Sequence, residues 1–150
     1  KDGSEQVSNP SPSFEGFFIS YFKGMTVKEP LSASELRSHL AHYMGSQQVF
    51  HLPMQWKIVY TEGVRYFAQN AGNGAYWFLT ILITEPAILK QAEDFASIKL
   101  LVAGSQATIT VDDGRRNPPV YVRHIDFTDC PEGEWRFYFT NGTIMLPSEY

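Results

Sequence analysis

Hydrophobic positions follow a helical rhythm in the first half of the chain and a strand rhythm in the second. Leu36, Leu40, Tyr43 and Met44 recur at helical spacing behind Ser32-Ala-Ser-Glu35. Ser32 and Glu35 stand at the separation where a hydroxyl and a carboxylate each satisfy the other's free backbone amide. The pattern predicts a helix that Gly45 stops. "QVFHL" and "WKIVY" then read as two short strands around Pro53. Thr61 is a candidate N-cap, and Val64, Phe67, Ala68 and Ala71 line one face of a second helix that Gly72 ends. From about Ala75 a third helix begins, apolar almost all round, which predicts a buried central position. Thr84-Glu-Pro86 closes it, with Thr84 expected to cap a short helix through Lys90.

From Ser97 the period changes. Ile98, Leu100 and Val102 alternate with polar neighbours, as do Ala107, Ile109 and Val111. A "DDG" turn and an "NPP" delay precede a strand from about Val120 to Phe127. "EWRFYFT" and "TIMLP" flank Asn141-Gly142, the strongest short hairpin signal. A two-residue turn sets Phe139 against Ile144 and Phe137 against Leu146 on one side. Tyr138 and Met145 then share the other side, which is also apolar and calls for a cover. The expected fold is α+β: N-terminal helices packed on a C-terminal antiparallel meander of about four to five strands.

Composition sharpens this picture. The 150 residues fit one domain, taken as 31–150, and 43% hydrophobic against 19% charged residues excludes a generally disordered chain. Residues 1–30 read as an N-terminal tail or arm. "KDGSEQVSNPSPS" is polar, and Phe14 to Phe22 is aromatic enough to pack on the body or on another copy. Met25 offers an alternative start, which on that reading puts residues 1–24 outside the native protein. A net charge of -4 argues against nucleic acid as a partner. No apolar run reaches the length of a membrane span, and no signal peptide is evident. The single Cys130 fits a cytoplasmic protein.

"NAGNGAYW" raises the question of a phosphate loop. Such a loop needs a preceding strand. Here a helix precedes, and no Lys follows Gly74, so Gly72 and Gly74 are expected to form a corner between two helices.

"YTEGVRYFAQNAG", "AYW" and a closing "LPSEY" together resemble an uncharacterised family of small bacterial, phage-associated proteins. Its pattern reads Y-T-[DE]-G-V, then A-Y-W, then a C-terminal L-P-S-E-Y. The resemblance spans about Leu31 to Tyr150, with an extra Gly-Asn before "AYW" as a departure. It implies a link to mobile elements and supplies no activity or catalytic residues.

Candidate chemistry is sparse. His39 and His42 lie three apart on the first helix and His51 follows on a strand, a candidate metal set. His51 with Glu62 is a candidate acid–base pair, although Thr61 as a cap and Glu62 as a helix-terminal charge explain the same residues. Asp126, Asp129, Glu132 and Glu134 read as a solvated turn that disfavours the Cys130 thiolate. Arg115, Arg116, Arg123 and His124 form a small basic patch. Tyr60, Tyr76, Trp77, Arg123 and Tyr150 are the candidate binding residues. The "LPSEY" terminus suggests that the Tyr150 ring and carboxylate dock, with Arg65 or Arg136 as partner. These features favour a non-catalytic binding or interaction module with a protein partner or self-association, and no cofactor. A small enzyme or metal-binding protein built on His51 is the alternative.

Overall fold

A computed structural model describes residues 29–45 and 48–150. The expected N-terminal arm, with Phe14 to Phe22, lies outside these residues. Among the described residues the elements are α1 (Ala33–Leu40), β1 (Val49–Leu52), β2 (Gln55–Thr61), α2 (Glu62–Asn70), α3 (Tyr76–Thr84) and α4 (Pro86–Ala92). There follow β3 (Ala96–Ala103), β4 (Gln106–Asp112), β5 (Tyr121–Ile125), β6 (Gly133–Thr140), β7 (Thr143–Met145) and a closing 3₁₀ turn, Pro147–Glu149.

Local chemistry starts each helix. Ser32 Oγ accepts the Glu35 amide at 3.2 Å, and the Ser32 amide donates to Glu35 Oε1 at 2.9 Å. α1 ends at Leu40 rather than running to Gly45 as its apolar stripe predicts. The His42 and Tyr43 amides bond the carbonyls of His39 and Leu40, three residues back, so the last turn tightens and the helix stops. Leu36 is fully buried while Met44 is 80% exposed. Thr61 caps α2 by accepting the Val64 amide, and the four expected core positions of that helix are all buried. Thr84 does not cap α4. Its hydroxyl donates back to the Thr80 carbonyl at 2.6 Å, and Glu85 takes the N-cap position with Pro86 inside the first turn.

The strands form one seven-stranded sheet in the order β1-β2-β7-β6-β3-β4-β5. Two expectations are corrected here. The sheet has seven strands, more than four to five, because the β1–β2 hairpin joins the C-terminal strands. It is mixed, since β2 pairs with β7 in parallel at Val59–Thr143 and Tyr60–Ile144. The C-terminal strands are also not a simple meander. After β5 the chain returns past the β3–β4 turn, where the Thr128 amide bonds the Ser105 carbonyl at 2.7 Å, and β6 pairs on the far side of β3. Burial inside the sheet explains the return: Trp135, Phe137 and Phe139 are all buried.

The core lies between the helices and the face carrying Ile98, Leu100, Ile109, Phe137 and Phe139. Phe67 of α2 and Phe78 of α3 each meet the Phe137 ring at 5.0 Å. α3 is buried along Phe78, Leu79, Leu82 and Ile83, in keeping with a helix that is apolar almost all round. The α2–α3 junction is a corner. Gly72 adopts φ 61°, and the Asn73 amide donates to Asp129 Oδ2 at 2.9 Å. Asp129, expected in a merely solvated turn, ties the β5–β6 connection to that corner. In the C-terminal hairpin Asn141 and Gly142 have φ 52° and 70°, and Phe139 pairs with Ile144 as the two-residue turn requires. The chain itself supplies a cover for the second side. Tyr138 packs with Phe95 at 4.9 Å and Tyr150 at 5.4 Å.

Candidate binding groove

A groove of about 350 Å³ opens between α1, the first half of β6 and the closing turn. Arg37, Leu40 and Ala41 form one wall, residues 134–137 of β6 another, and Leu146 to Ser148 the third. The lining is mostly apolar. The Arg37 guanidinium lies over the Trp135 ring, 4.2 Å from its centroid. That indole is otherwise satisfied, since Trp135 Nε1 donates to the Pro131 carbonyl at 2.9 Å. Arg136 at the rim pairs with Glu134.

The groove exists because β7 is short. In the hairpin register Tyr138 pairs with Met145, so Phe137 would next face Leu146 and Arg136 would face Pro147. Proline has no amide to donate, and the ladder ends at Met145, two residues before it. The chain turns instead into the 3₁₀ segment, which two bonds hold in place. Glu149 Oε1 accepts the Leu146 amide at 3.0 Å, and Ser148 Oγ donates to the Tyr43 carbonyl at 2.7 Å.

The same Glu149 carboxylate clasps the start of α2. Thr61 Oγ1 donates to Oε1 at 2.6 Å and the Gly63 amide donates to Oε2 at 3.2 Å. A Cβ on Gly63 would stand 2.5 Å from Leu146 Cδ1 and 2.8 Å from Glu149 Oε1, so any larger residue forces those two side chains to shift. "YTEGV" and "LPSEY" are therefore two halves of one structural joint. The terminus is held through the Glu149 carboxylate, where the sequence leads us to expect the Tyr150 ring and carboxylate. Arg65 and Arg136, the partners expected for the Tyr150 carboxylate, are engaged elsewhere: Arg65 lies over the Phe50 ring at 4.3 Å, and Arg136 pairs with Glu134. The Tyr150 ring touches Phe95 and Tyr138 yet stays 74% exposed.

The other candidates scatter. The His39 ring packs against Tyr66 at 5.3 Å. His42 is exposed just past α1, and His51 is exposed with Nδ1 3.0 Å from the Leu52 carbonyl. Among the described residues no group of three or more His, Cys, Asp or Glu side chains is placed to hold a metal ion, so the His39, His42 and His51 set is not assembled. Val49 pairs with Thr61 in the β1–β2 hairpin. Glu62 lies beyond one end of that pair and His51 two residues to the other side, roughly 10 Å apart along the ladder. Burial and then the neighbouring Tyr76 raise the Tyr60 hydroxyl above the usual tyrosine range. Trp77 is half-buried and meets Phe78 edge-on at 6.0 Å. Arg123 is exposed on β5, and His124 beside it lies 3.7 Å from Asp126. Cys130 is buried, and desolvation together with the Asp129 charge pushes its thiol up to about 12.

The groove residues Arg37, Trp135, Leu146 and Pro147 were not expected as a site. They come from three distant segments, and only Pro147 at the end of a strand carries a local signal. No helix among the described residues is long and apolar enough to cross a membrane. No curated protein and no solved structure matches the chain. Residues 34–150 match the Family of unknown function (DUF6876), and the chain belongs to that family.

Proposed function

We propose that the protein is a non-catalytic binding module that holds a protein partner in the groove between α1, β6 and the closing turn. The observation that carries this reading is the groove itself: an open, mostly apolar recess with a cation fixed on an aromatic ring at its wall. Its volume lies at the low end for small-ligand cavities, and one wall is strand backbone, which suits a polypeptide better than a compact metabolite. The scattered histidines and the raised Cys130 thiol supply no nucleophile or base beside it.

The test is selection of random twelve-residue peptides on phage against the full chain, with enriched clones resynthesised. Ala41 is exposed on the groove wall, so Ala41→Trp fills the recess without disturbing the core. The expected result is binding that Ala41→Trp weakens at least about tenfold, near 1.4 kcal/mol, with melting temperature unchanged. Selection of no binder, or of peptides that bind both proteins equally, contradicts this function.

A further inference from the structure

The backbone along the groove is arranged to accept a strand. Asn141 and Gly142 form a two-residue turn, which makes Thr140 and Thr143 a hydrogen-bonded pair. Every second residue back along β6 then aims its amide and carbonyl the same way: Tyr138, Arg136 and Glu134 toward the lane of β7, Trp135 and Phe137 toward β3. β3 pairs with β6 along its length from Gly133 to Phe139, whereas β7 reaches only Tyr138. Among the described residues no other backbone or side-chain group bonds the Glu134 and Arg136 backbone on the β7 side. Two amides and two carbonyls are thus left in line on the floor of a groove. An unpaired edge of this kind is a template for another chain.

The charge at this lane narrows the guest. The ion pairs among the described residues are His124–Asp126 and Glu134–Arg136. The Arg37 cation therefore has no carboxylate partner there, although it sits over Trp135 and against Gly133 where the lane opens.

We infer that the groove takes an extended segment of a partner protein, added as a strand beside Glu134–Phe137, with an acidic side chain placed on Arg37. This rests on the binding function proposed above and goes further in naming the mode and the chemistry. The main-chain bonds of strand addition supply affinity with little regard to sequence, and Arg37 supplies the preference.

The experiment is amide exchange by NMR on the full chain, free and saturated with a resynthesised peptide that Ala41→Trp excludes. In the free chain the Glu134 and Arg136 amides exchange fast while those of Trp135 and Phe137 are protected. On saturation both open amides slow at least tenfold. Enriched peptides share an Asp or Glu, and Arg37→Gln weakens them about tenfold while Arg37→Lys restores part of the loss. Peptides that bind in the groove yet leave both amides fast would overturn strand addition and leave the groove function standing. Binders without an acidic residue would overturn the role of Arg37. Protection of both amides in the free chain would also overturn the proposal, because the lane would then be filled by this chain or by a second copy. A concentration dependence of that protection identifies the second copy.

Discussion

Gly63 separates two physical accounts of the same helix. Judged by propensity, Gly63→Ala in the first turn of α2 stabilises the protein, since alanine is favoured by ~1 kcal/mol in a helix. Judged by contact, a Cβ there meets Leu146 and Glu149 too closely. The contact account predicts a loss of about 2 kcal/mol, the usual scale of overpacking, measurable by urea denaturation. Glu149→Ala removes an acceptor serving Thr61, Gly63 and Leu146, and the expected loss is about 2 kcal/mol. Thr61→Ala acts on the same joint, so the double variant should lose less than the sum of the two single losses. Cys130 sets a pH limit. Its thiol moves from 9.0 to about 12 on folding, so the folded state holds the proton more tightly. The stability this contributes is complete below pH 9 and is lost as pH rises from 9 toward 12. Cys130→Ala should flatten the alkaline fall in stability, and the native thiol should resist alkylation at pH 8 until the protein unfolds.

At the scale of elements, what the sequence pattern foretold and what it concealed divide along one line. Features set by neighbours in the chain were legible: the Ser32–Glu35 capping box, the Thr61 cap, the Gly72 corner and the Asn141-Gly142 hairpin. Where a tertiary contact competes with a local pattern, the pattern misled. The stripe through Tyr43 and Met44 promised about one more turn of α1, yet Tyr43 leaves the helix and lends its carbonyl to Ser148. Thr84 looked like a cap and bonds backward instead. Pro147 is the informative residue at this scale. It ends β7 where the register would place it opposite Arg136, and so creates the groove. Pro147→Val restores an amide and a strand former at that position. The expected outcome is protection of the Arg136 amide in the free protein together with weaker peptide binding.

The whole molecule is held by pairings that no local signal announces. β2 meets β7 in parallel across more than eighty residues of sequence, and β6 crosses to β3 instead of following β5. Neither has a turn signature, because parallel pairing and crossover connections are decided by which faces need burial. Two segments singled out in the sequence, "YTEGV" and "LPSEY", meet at the contact that secures this closure. The candidate site escaped the sequence reading for the same reason. Its walls are α1, half of β6 and the turn after β7, brought together only once the sheet has closed. The aromatic centre of that closure is Phe67, which meets Phe78, Trp135 and Phe137. Phe67→Ala is expected to cost about 3–5 kcal/mol by urea denaturation.

The central claim is that β6 is paired on one side from Gly133 to Phe139 and on the other only from Tyr138 to Thr140. Native-state amide exchange along residues 134–139 of the unliganded protein reads this directly. The account predicts slow exchange at Trp135, Phe137, Tyr138 and Phe139 and fast exchange at Glu134 and Arg136. Equal protection at all six positions would contradict it.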